Sequence, residues 1–117
     1  MADGGNQEAV VDVLGRAGTG PVWGVASAEL NATLLAWPPG HGVVEDTASE
    51  LDVLLIVLAG SGTAKVDDRE HELVSGSALL VERGHTRAIH AGAEGLRYLS
   101  VHKRRGPLQL AEMPERC

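Results

Sequence analysis

Short apolar segments, each closed by turn residues, fill the chain from Pro21 to His102, and none of them follows a helical period. The spacing predicts strands over 22–28, 31–37, 51–59, 62–66, 70–74, 78–81, 86–90 and 96–102. So many short strands in one short chain predict an antiparallel sandwich or barrel. Asp67-Asp68 is expected to close a tight hairpin, because Asp tolerates a positive φ better than most residues. Gly76 and Gly84 bracket the following strand, and Pro38-Pro39-Gly40 cannot continue a ladder and is read as a loop.

Val53-Leu54-Leu55-Ile56-Val57-Leu58 is apolar at every position, whereas a strand with one wet face alternates. Its outer face therefore needs a cover. The N-terminal segment could supply it or a second subunit could, and a homodimer is the expectation preferred here.

A length of 117 residues suits one domain, since two cores would each be too small to offset chain entropy. The hydrophobic fraction is 44% but the aromatic fraction only 3%, so the core must be built from Val, Leu, Ile and Ala. A net charge of -6 argues against nucleic acid and anionic lipid as partners. The basic run His102-Lys103-Arg104-Arg105 is short and is read as a solvated strand end. The longest apolar run is too short to cross a bilayer. The single cysteine, Cys117, allows no internal disulfide, and with no signal peptide at Met1-Ala2-Asp3-Gly4-Gly5 the expected compartment is the cytoplasm.

Residues 1–20 are read as an N-terminal arm, 21–105 as the barrel and 106–117 as a tail. In the arm, Val10, Val11, Val13 and Leu14 fit either a short helix running from Asn6 to Gly15 or an edge strand. The pattern Gly15-x-x-Gly18-x-Gly20 lacks a feeding strand and a following helix, so it is read as a connector and not as a phosphate loop.

Gly76-Ser77-Ala78-Leu79-Leu80-Val81-Glu82-Arg83-Gly84-His85-Thr86-Arg87 resembles the second conserved motif of the cupin superfamily, with both glycines in place. Over roughly residues 21–105 the chain resembles the small single-domain bacterial cupins. That resemblance implies an all-β, cupin-type antiparallel β-barrel of jelly-roll form. It also implies a metal site, and there this sequence departs from the pattern. Glu82 stands at the usual proline, and Arg87 stands where the metal-binding histidine would be. Anchored on Gly60, the first motif places Thr47, Ser49 and Val53 at its ligand positions. A register shifted by one residue, as a bulge would produce, places Asp46, Ala48 and Asp52 there. Neither contains a histidine.

A fixed guanidinium cannot donate a lone pair and repels a dication, so no metal and no other cofactor is expected. Strand alternation points Arg87 and Ile89 into the barrel and Thr86, Ala88 and His90 outward. An inward arginine must be paired or must meet an anion. In one reading Arg87 bridges to Asp52, Glu45 or Glu50 and ties the motif strands together. In the other it binds the carboxylate or phosphate of a small ligand in a site that Glu45, Asp46, Asp52 and Ile89 help to form.

His41, His71, His85, His90 and His102 are read as exposed or locally hydrogen-bonded. Ser61, Ser75 and Ser77 lie in Gly-containing turns, and no Ser-His-Asp or Cys-His set stands out, so catalytic residues remain unassigned. Tyr98 shares a face with Ser100 and His102, and the opposite face, with Leu99 and Val101, reads as the interior. The function expected is small-molecule binding, or a structural or regulatory role. The alternative is a cupin isomerase or dioxygenase, metal-dependent or metal-independent, built on non-standard residues.

Overall fold

The computed structural model describes residues 10–45 and 50–104. Among the described residues seven strands run antiparallel: β1 (Gly20–Ala26), β2 (Leu30–Trp37), β3 (Gly42–Glu45), β4 (Val53–Val66), β5 (Arg69–Val74), β6 (Ala78–Val81) and β7 (Arg87–Lys103). Their order is β1-β2-β7-β4-β5, with β3 on β7 and β6 on β4.

Two pairs of expected strands fuse. Residues 51–59 and 62–66 become the single β4, and 86–90 and 96–102 become the single β7, because the glycines between them make bulges and not turns. The β4–β7 register slips between Val57 and Ala59 and again between Gly60 and Gly62. Gly60 and Gly95 both take positive φ, 84° and 78°. They lie back to back: a Cβ on Gly60 would stand 2.1 Å from the Gly95 carbonyl oxygen. This bare-backbone crossing bends the two long strands together, so that each serves both halves of the barrel. The structure also adds β3, which pairs Val43 with Ile89 and Glu45 with Arg87.

The hairpin between β4 and β5 is as expected, with Val66 opposite Arg69 and Asp67 at φ 54°. In the arm, the apolar patch forms one turn of 3-10 helix, Val13–Gly15, capped by Asp12, whose carboxylate accepts from the Leu14 amide at 3.1 Å. The proposed helix start at Asn6 lies outside the described residues.

One side of the curved sheet forms the core. Cross-strand partners share a face, so Leu35, Tyr98 and Val57 form one inward row, and Thr33, Ser100 and Leu55 the next. Val53, Leu55, Val57, Ala64, Leu73, Val81, Ile89, Ala91, Leu96 and Tyr98 pack there as one buried cluster. The two faces of β7 are therefore the reverse of the expectation: Tyr98 and Ser100 are inside, at 2% and 9% exposure, while Leu99 and Val101 are only half-buried outside. The phenol tolerates the interior because it accepts a hydrogen bond from Trp37 Nε1 at 3.2 Å.

The outer face is only partly covered. Val25, Ala32, Val101, Leu54 and Leu80 make one continuous row across β1, β2, β7, β4 and β6. Leu54 remains 37% and Leu80 55% exposed. Farther along the same face, the arm is pinned by Arg97, whose guanidinium donates to the Arg16 carbonyl.

Candidate functional site

Of the residues singled out from the sequence, Glu45, Arg87 and Ile89 come together where β3 pairs with the start of β7, whereas Asp52 stands before the opposite end of β4, whose first residue, Val53, pairs with His102. Arg87 is the first residue of β7 and pairs with Glu45 on one side and Val66 on the other. Two residues on, Ile89 is 1% exposed in the core, so alternation turns Arg87 toward the same interior face. Arg87 is half-buried and is engaged in a polar interaction. Glu45 closes β3, and Asp46 lies outside the described residues. Asp52 precedes β4 and is exposed, and its carboxylate accepts from the Arg83 amide at 2.8 Å. It thus fastens the turn after β6, and among the described residues this is the partner the structure gives it.

Beside the Arg87 end sits a polar clamp that the sequence did not reveal. The Asp67 carboxylate accepts from the Thr86 amide at 3.0 Å, from the Thr86 hydroxyl at 3.2 Å and from His85 Nδ1. Its own amide donates to the Thr86 carbonyl at 3.1 Å. One aspartate at a left-handed turn position therefore holds the β4–β5 hairpin against the segment that leads into Arg87. The hydrogen bond from His85, followed by that from the Thr86 amide, lowers the Asp67 pKa from its ordinary 3.8. The same hydrogen bond and the aspartate charge, with a smaller contribution from Glu82, raise that of His85 from its ordinary 6.5.

A raised histidine pKa stabilises the fold fully below the unfolded value and ceases to do so as pH climbs through the folded one. A lowered aspartate pKa stabilises above its unfolded value and stops as pH drops through the folded one. Both contributions are thus present together from about pH 4 to 6.5. Thermal melts should show wild type losing stability as pH rises from that window past neutrality, while His85→Gln, which retains a donor, shows a flatter profile. Parallel profiles would contradict this.

The other histidines are scattered. His41 is exposed in the loop before β3, His71 is half-buried on β5, His90 points outward from β7, and His102 Nδ1 lies 2.7 Å from the Lys103 carbonyl. Among the described residues no three His, Cys, Asp or Glu side chains gather as a metal would need.

A separate cleft of about 260 Å³ opens elsewhere, where the arm crosses the bulged strands. Thr19, Trp37, Pro38, Pro39, Glu94 and Arg97 are among its lining residues. Sequence reasoning did not find it. Its walls come from four distant segments that only the strand register brings together, and the sole hint was an arginine set among the apolar residues of β7.

An antiparallel barrel whose long bent strands each pair in both halves is the double-stranded β-helix of the cupins. The chain belongs to the family of AraC-like ligand binding domains, whose model matches residues 36–108. It resembles a protein from Thermus thermophilus at 20% identity and a TM-score of 0.72, over 85% of this chain and all of that one. A cupin superfamily protein from Desulfitobacterium hafniense matches at 25% identity and 0.61, over 69% of this chain and 72% of the other. An RmlC-like cupin with a double-stranded β-helix fold from Methanocaldococcus jannaschii matches at 20% and 0.61, over 68% and 73%. No curated protein matches the sequence.

The fold family implies a first-row metal, and the residues described here do not fit one. Val53, at the carboxylate position of the Gly60-anchored register, is 3% exposed in an apolar cluster. Arg87, at the histidine position, is a permanent cation. Thr47 and Ser49 lie outside the described residues, and neither side chain is an imidazole. No helix among the described residues is long and apolar enough to span a membrane.

Proposed function

We propose that this chain is a non-catalytic barrel that binds a small carboxylate at the β3–β7 end, with Arg87 as the anion-recognising residue and Ile89 beneath it. The observation that carries the reading is the placement of Arg87. It starts β7 on the inward face, two residues from core Ile89, where a cupin would present an imidazole. A guanidinium carries five N–H donors in a planar fork, so Arg87 can keep its partner within the fold and still present a pair of donors suited to a carboxylate. Membership of a ligand-binding domain family supports the same reading.

The working form is proposed to be a homodimer in the cytoplasm, with the exposed row from Val25 to Leu80 as the covered face. Light scattering at twice the chain mass is the corresponding result.

Stability measured against a panel of small mono- and dicarboxylates tests the function. A ligand bound only by the folded state at 100 times its Kd adds about 2.7 kcal/mol, which raises Tm by several degrees in a chain this size. Wild type should show such a shift with at least one member, and Arg87→Leu should lose it. A shift that survives in Arg87→Leu would remove Arg87 from the site.

A further inference from the structure

The cleft at the arm presents two opposite charges that leave each other unneutralised. Glu94 and Arg97 both line it, three residues apart across the Gly95 bulge. Among the described residues they form no ion pair with each other. Arg97 is half-buried and spends one donor on the Arg16 carbonyl, so its fork is held in place with further N–H groups to offer. Trp37, Pro38 and Pro39 supply an apolar wall beside them. The base is bare backbone, since Gly60 and Gly95 cross there with no room for side chains. At about 260 Å³ the space lies just under the roughly 300–1,000 Å³ of drug-sized sites, so the occupant is a small metabolite.

We infer that this cleft is a second binding site, distinct from the Arg87 end, and that it takes a small zwitterion of the α-amino acid class with an apolar side chain. The carboxylate meets Arg97, the ammonium meets Glu94, and the side chain lies against Trp37 and the two prolines. A simple anion would be repelled by Glu94 and a simple cation by Arg97. A molecule carrying both charges a few ångströms apart satisfies both groups, which is how a polar pair gives specificity that neither charge gives alone.

The probe is L-leucine, titrated into the full chain and followed by amide and indole chemical shifts. Shifts should concentrate at Thr19, Trp37, Gly60 and Gly95. Glu94→Gln and Arg97→Gln should each weaken binding about tenfold or more, as expected when a charged hydrogen-bond partner is lost. 4-Methylpentanoate, which lacks the ammonium, and isoamylamine, which lacks the carboxylate, should each bind about tenfold more weakly or less. Arg97→Gln also gives up the bond to the arm, so Glu94→Gln, an exposed position, is the variant free of that complication. Absence of shifts with L-leucine, equal binding of 4-methylpentanoate, or undiminished binding in Glu94→Gln would each overturn the assignment. Failure of the carboxylate reading at Arg87 leaves this one standing, because the two use different variants and different probes.

Discussion

Gly60→Ala should abolish the native barrel at ordinary temperature. The position carries a φ of 84°, where an L side chain is strained by about 1–2 kcal/mol. The larger effect is steric: the added methyl would stand 2.1 Å from the Gly95 carbonyl oxygen, 2.8 Å from its carbon and 3.1 Å from the Leu96 Cα. All three are backbone atoms of the partner strand, so relief requires β4 and β7 to separate where they bend. Total stability of a domain this size is about 5–15 kcal/mol, and strain plus a broken bulge should remove most of it. Gly40→Ala is the matched control, with nearly the same φ of 82° but nothing within 4 Å of the new methyl. It should cost only about 1–2 kcal/mol in urea denaturation. Equal losses for the two variants would mean that φ and not the crossing governs Gly60.

Val53→Glu should be the second most damaging change, although it restores the residue type that a metal-binding cupin carries at that position. Val53 is 3% exposed, paired with Val81 on one side and His102 on the other, and packed in the cluster with Leu55 and Val57. A carboxylate there either stays charged without a fixed partner or takes up a proton, and burying it costs several kcal/mol in either form. Chemical denaturation should show a loss of about 3 kcal/mol or more, and zinc or manganese should not restore it. Recovery on adding metal would mean that the surrounding side chains can still complete a coordination sphere.

The architecture was legible because alternation and turn residues survive in the sequence, and because the two glycines of the second motif keep their spacing. What escaped was decided by the partner strand. Gly60 and Gly95 look like turn residues, and only the register shows that they are bulges inside continuous strands. At four residues, β3 is too short to stand out next to Pro38-Pro39-Gly40. The inward face of β7 was misread because both of its faces are lined by neighbours: Leu99 and Val101 pair outward with Leu34, Ala32, Ile56 and Leu54, so apolarity alone does not distinguish the sides.

Site residues follow the same division. The inward turn of Arg87 could be read from its even spacing to Ile89. The hold of Asp52 on the Arg83 amide and that of Asp67 on His85 and Thr86 could not, since each joins residues far apart in the chain. The Glu94 and Arg97 cleft was invisible for the same reason, because its walls come from the arm, the end of β2 and both bulges.

In this cupin barrel a guanidinium stands where a metal-donating imidazole is expected, and metal content is the decisive measurement. Protein purified without chelator or added metal, then measured by elemental mass spectrometry, should carry iron, manganese, zinc, nickel and copper at far below one equivalent per chain. One equivalent of any of these, retained through dialysis and lost in Arg87→Leu, would contradict it.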